Sequence, residues 1–323
     1  IYIFEIYMVY EVNVQNVASL EVYSSDPATD TTTYVTFNEF KTQVEKCKTV
    51  LESCIPNAPS KKTIKIYLGW SSDPFSSNDK TLGWAGGGTI AINQYNTGQY
   101  YLNDTSEHQN ISVIIHEIIH VFGLFPSNIS GNSLFTTKTD SLDGTVRRVY
   151  LGEKGLNGYK KVLLANNIKV PDPLYICIED DFEEGTVNVH LEEAYNSSND
   201  PHELITINGE YYPTLWNEIM TGLLDKDYNY ITPITMGCLE DIGYTINYES
   251  QYIVTNGTNM KFVNDVKAEQ IGTTANFLTF DEGQYNLKYL NKILKENNLV
   301  NKNVLINDIQ LNWGEKMSRY NLI

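Results

Sequence analysis

Residues 107–125 read EHQNISVIIHEIIHVFGLF. Its apolar residues Ile111, Ile114, Ile115, Ile118, Ile119 and Phe122 recur at helical spacing, which predicts a buried α-helix, and Gly123 marks its C-terminal stop. Within that helix His116, Glu117 and His120 spell HExxH. Residues four apart share one helical face, so both imidazoles can approach a single ion at about 2.0–2.1 Å. Glu117 then stands beside the open coordination position, where it can accept a proton from a water acidified by the metal and deliver it to a leaving amine. The pattern predicts one catalytic Zn2+ ion and peptide-bond hydrolysis. If the histidines only packed or capped the helix, two polar rings would be buried beside Ile114, Ile115, Ile118 and Ile119 without partners, which is unfavourable.

Two histidines do not complete such a site, which usually has three protein ligands and a water. In the longer pattern HExxHxxGxxH a glycine turns the chain so that a nearby histidine becomes the third ligand. Gly123 keeps the turn, but Pro126 occupies the third-histidine position. The downstream histidines are His190 and His202, and the carboxylates Glu192, Glu193 and Glu218 could serve instead. Gly123 belongs to the histidine pattern and so favours a histidine over a carboxylate, while the choice between His190 and His202 stays open. His108 lies about two turns before His116 and reads as a surface residue.

The net charge of -17 and the lack of a basic stripe argue against nucleic acid or an anionic membrane as partner. No run of about eighteen apolar residues occurs, so no transmembrane helix is expected. The opening IYIFEIYMVYEV is interrupted by Glu5 and Glu11 and reads as part of a strand at 1–14 rather than a signal peptide. The chain starts without Met, which suggests a processed terminus and hides any targeting signal or inhibitory pro-segment. Cys47 and Cys54 would lie about 10 Å apart along one helix, too far to bridge. The four cysteines, with Cys177 and Cys238, read as buried free thiols, the alternative being one long-range pair. Sequons at Asn103, Asn110, Asn128, Asn196 and Asn256 would fit an extracellular, cell-surface or secretory-lumen protein. The acidic run at 179–184 reads as a solvated loop; a calcium site there would lack EF-hand spacing.

Along the chain, an amphipathic helix is expected at 37–53, a strand at 61–70, and a glycine break at Gly86, Gly87 and Gly88 before the strand TIAIN. The Ser-, Asn-, Thr- and Gly-rich segment 126–144 reads as surface loop, followed by a helix at 152–166. PDPLYICIEDDFEEGTVNV reads as loop, strand and acidic turn. Residues 231–243 read as a short helix with Pro233 in its first turn and Gly243 after its end. Beyond residue 250 one amphipathic helix is expected near Leu287, Leu290, Ile293 and Leu294.

HEIIHVFGLF without an immediate third histidine, then GTVNVHLEE, NEIMTG and TMGCLEDIGYTINY, with LGWAGGGTIAIN ahead of the helix, resembles the leishmanolysin family of metzincin peptidases over residues 62–248. The resemblance implies an α+β fold: a metzincin-like catalytic domain with a mixed sheet and the active-site helix above, and a mostly irregular and helical lower subdomain. It implies that His116, His120 and His190 are the zinc ligands, Glu117 the general base and acid, and Met220 the residue of the Met-turn beneath the metal. His190 is favoured over His202 because Gly185, Thr186 and His190 keep the family's GTxxxH spacing, with Glu192 and Glu193 following. The chain departs from the family at Leu191, where a tryptophan is usual, in the longer interval between His190 and Met220, and in its few cysteines.

The implied organisation is an N-terminal catalytic subdomain with the zinc helix at 1–123, a lower subdomain with the third ligand and Met-turn at 124–249, and a C-terminal extension of unassigned role at 250–323. The expected activity is that of a zinc-dependent endopeptidase acting on protein or peptide substrates that lie extended in the cleft. The alternatives are an inactive pseudopeptidase serving as a binding or adhesion module, and a metallopeptidase with an acidic third ligand.

Overall fold

The computed structural model describes residues 10–24, 36–69, 82–93, 106–125, 132–142, 144–180, 187–193, 205–224, 229–257, 260, 262–263 and 278–279. The protein is mixed α+β. Strands β1 (Tyr10–Val14) and β2 (Ala18–Ser24) form an antiparallel hairpin whose turn passes through Asn16 at φ 59°. Helix α1 (Phe37–Cys54) follows, opened by a capping box in which Thr36 and Glu39 satisfy each other's backbone N–H groups. Strands β3 (Lys62–Leu68), β4 (Gly83–Gly86) and β5 (Thr89–Ile92) then complete a five-stranded sheet in the order β1-β2-β3-β5-β4. β2, β3 and β5 run parallel, and β4 is an antiparallel edge strand beside β5.

Burial alternates along β3, with Ile64, Ile66 and Leu68 buried, so the sheet presents one apolar face to a covering layer. Helix α2 (Ser106–Phe122) packs against β3, β4, β5 and α1. Its last carbonyls are satisfied from outside the helix: Lys62 Nζ donates to Val121 O at 2.8 Å and Tyr244 Oη donates to Phe122 O at 3.1 Å. Gly123 follows at φ 103°, a conformation in which glycine carries no Cβ penalty.

The chain then forms an antiparallel three-stranded sheet, β6-β7-β8, from β6 (Phe135–Thr139), β7 (Val146–Tyr150) and β8 (Ile176–Ile178), with α3 (Glu153–Ala165) inserted before β8. Helix α4 (Pro233–Asp241) packs on α3. Pro233 opens α4 and Gly243 at φ 101° follows its end, as expected. Short pairs add Phe262–Val263 to Thr214–Leu215 and Leu278–Thr279 to Leu223–Leu224. One apolar cluster runs from Val12 to Tyr244, joining both halves in a single core.

Several expectations need correction. The segment read as surface loop contains β6, because the β-branched run Thr136, Thr137 and Thr139 pairs with β7 despite its polar flanks. β2 lies outside the expected strands although Ala18, Leu20 and Val22 alternate inward. The acidic run does not begin in solvent: Glu179 is fully buried, and Asp180 lies 3.4 Å from Arg147. Asn110 is 3% exposed inside α2, which leaves no room for a glycan at that sequon. Cys47, Cys54, Cys177 and Cys238 are all buried free thiols. Residues 1–9, the helix expected near Leu287 and the sequons at Asn103, Asn128 and Asn196 lie outside the described residues.

Candidate metal centre

α2 places His116 and His120 one turn apart on one face, and Glu117 beside Gly83 of β4. His116, Glu117 and His190 are fully buried, and His120 is partly so. His190 reaches the helix through a relay of backbone pairings. Glu179 N–H donates to His190 O at 3.1 Å, and Leu191 N–H donates to Met220 O at 2.9 Å. Leu191 is thereby bridged to Ile178 on one side and to Thr221 on the other.

The three Nε2 atoms converge. His116 and His120 are 3.0 Å apart at Nε2, His116 and His190 3.1 Å, and His120 and His190 3.3 Å. Nitrogens bound at about 2.0–2.1 Å to one tetrahedral ion stand roughly 3.3–3.4 Å apart, close to these separations. The rings of His116 and His190 lie within 19° of parallel, and His120 stands edge-on to both.

The far nitrogens explain which atom faces inward. His116 Nδ1 lies 2.6 Å from Ile219 O, and His120 Nδ1 lies 3.5 Å from Leu124 O, a carbonyl carried back by the turn at Gly123. A carbonyl only accepts, so each Nδ1 carries the proton and each Nε2 of the neutral ring presents a lone pair. Lone pairs on His116 and His120 therefore point at each other, an arrangement that a cation between them relieves. Burial lowers the His116 imidazole well below its usual value, and the neighbouring His120 and His190 push the same way, against the opposing Ile219 carbonyl. Burial likewise lowers His120 to about 4. Both rings are neutral at neutral pH, as metal ligation requires. The buried His116, His120 and His190 can hold a metal ion, and no carboxylate joins this group among the described residues. Three imidazoles suit zinc and also copper, iron or nickel.

The other residues singled out from the sequence fall around this centre. Met220 is fully buried directly after Ile219, whose carbonyl holds His116. Glu192 and Glu193 are buried beyond His190, with Glu193 Oε2 accepting from Gly222 N–H at 3.4 Å. The Glu218 carboxylate is turned elsewhere, accepting from Met220 N–H at 2.6 Å and from the hydroxyls of Thr232 and Thr235 at 2.9 and 2.6 Å. His202, Gly185 and Thr186 lie outside the described residues, as does the side chain of His108.

Two contributors have no sequence signal of their own. The Ile219 carbonyl is one, because every residue carries such a group. Gly83 in β4 is the other: a Cβ there would stand 2.6 Å from Glu117 Oε1, so the absent side chain makes room for that carboxylate. No protein-family model matches the sequence, and no curated protein matches it either.

Proposed function

We propose that the protein is a zinc-dependent endopeptidase with a metzincin-like catalytic domain of the leishmanolysin type. The observation that carries this is the convergence of His116, His120 and His190 Nε2 within 3.3 Å of one another, with Glu117 next in sequence on the same helix. The donor set fits a tetrahedral ion with one position left for water. Bound zinc would polarise the scissile carbonyl and acidify that water.

The chain's own residues would do the rest. Ile219 O and Leu124 O fix the tautomers of His116 and His120. Glu117, buried beside α2's neighbours in β4, would take the proton and return it to the leaving amine. β4 is the edge strand of its sheet and Gly83 within it abuts Glu117, so an extended peptide added to that edge would run past the carboxylate. Among the described residues no helix is long and apolar enough to cross a membrane.

The test is Glu117→Gln assayed on an unstructured protein substrate, with and without chelator. Wild-type protein should cleave it in a chelator-sensitive manner, and the variant should keep its zinc and lose cleavage. Persistent cleavage by the variant would disprove the role of Glu117. A wild type that holds zinc yet cleaves nothing would instead mark the fold as a binding module.

A further inference from the structure

The residues between Glu218 and Thr221 touch both halves of the candidate centre. Ile219 O faces His116 Nδ1, and Met220 O receives the N–H of Leu191, the neighbour of His190. The position of this one turn therefore sets where the helix-borne ligand and the distant ligand meet.

Glu218 holds that turn from inside the core. Its side chain is fully buried, with Oε2 accepting Met220 N–H and Oε1 accepting the hydroxyls of Thr232 and Thr235. Thr232 is the N-cap of α4 and accepts Ile234 N–H at 3.1 Å, so the Glu218 carboxyl group sits beside the first turn of that helix. The backbone of Glu218 is gripped as well, its carbonyl accepting from Thr221 Oγ1 at 2.8 Å and Asn229 Nδ2 at 3.3 Å. Ile219 N–H donates to Tyr230 O at 2.8 Å, closing the other side. A buried carboxylate satisfied by three donors on two segments is a rigid tie, since removing it strands each donor in the core.

We infer that Glu218, with Thr232 and Thr235, is the positioning group that ties the turn carrying Ile219 and Met220 to α4 and thereby aligns His116 with His190. The inference rests on the metal reading of the three histidines for its zinc readout. Its readout of the His116 ring does not depend on zinc.

Two variants of the full chain separate positioning from bulk. Glu218→Ala removes the tie, whereas Glu218→Gln keeps the shape, an acceptor oxygen for Met220 N–H, and an amide that the threonine hydroxyls can turn to accept. Zinc affinity measured by chelator competition should fall about 10–100-fold in Glu218→Ala, the scale of lost outer-shell support, and stay near wild type in Glu218→Gln. In zinc-free protein, histidine-ring 15N shifts should report a protonated His116 Nδ1 in wild type and Glu218→Gln, and a mixed tautomer in Glu218→Ala. Wild-type affinity together with an unchanged His116 spectrum in Glu218→Ala overturns the inference. Should Glu218→Ala not fold, Thr235→Val removes one donor at nearly constant volume and should weaken zinc in the same direction; no change in affinity or spectrum there overturns it equally. If wild-type protein binds no zinc, the metal reading fails, and an unchanged His116 spectrum in the variant still decides against the tie.

Discussion

His116 Nδ1 lies 2.6 Å from the carbonyl oxygen of Ile219, which stands 103 positions later in the chain. That contact directs the opposite ring nitrogen toward His120 and His190, and it makes the third histidine testable. Replacing His116 or His190 with alanine should each weaken zinc more than the roughly 10–100-fold typical of outer-shell changes. An acidic third ligand predicts a different outcome, since His190→Ala would then leave the affinity intact. Thermal melts give a second measure: zinc held at about a thousand times its Kd should stabilise the wild type by about 4 kcal/mol. Chelator should remove that increment, and the two variants should lack it.

Gly83 and Glu117 are matched in shape. A methyl group at position 83 would meet Glu117 Oε1, Cγ and Cδ at 2.6, 2.9 and 3.0 Å. These are the outer atoms of a flexible side chain, so Gly83→Ala should fold and bind zinc normally while displacing the carboxylate. Peptide hydrolysis should drop on the order of 100-fold, the scale of a roughly 1 Å misplacement of a reacting group. Unimpaired turnover in that variant would show that Glu117 does not need the space.

Burial lifts the Glu218 carboxyl to about 7 from an ordinary 4.5, although Thr235, Met220 and Thr232 donate to it. The native state therefore keeps this proton between those values while the unfolded chain releases it. Unfolding releases a proton in that window, so the contribution of this group is complete below about 4.5 and is lost as pH rises through about 7. The swing is on the order of 3 kcal/mol. Urea denaturation of chelated wild type and Glu218→Gln at several pH values isolates it, because other titrating groups contribute alike to both chains. Parallel stability profiles would refute the assignment.

Much of the scaffold was legible where the signal is local. α1, β3, α3 and α4 follow the apolar spacing, and Pro233 and Gly243 bracket α4 as their backbone preferences require. β6 was hidden by its Ser-, Asn- and Gly-rich flanks, since a half-exposed strand such as Phe135–Thr139 gains its stability from its partner β7. Glu179 sits in an acidic run that composition alone assigns to solvent, yet its backbone pairing with His190 and Asn188 draws it into the core.

By itself the sequence determined that His116, Glu117 and His120 share one buried helix, because a 3.6-residue period fixes which side chains are neighbours without reference to anything distant. Only the tertiary structure decided that His190 meets them and that Ile219, Gly83 and Glu218 hold the arrangement. His190, Ile219 and Glu218 come from remote segments joined by the Ile178, Leu191 and Thr221 bridges, and Gly83 comes from β4; they act through a ring, a carbonyl, a buried tie and a missing side chain. None of these leaves a periodic trace along the chain, because each depends on which segments pack together.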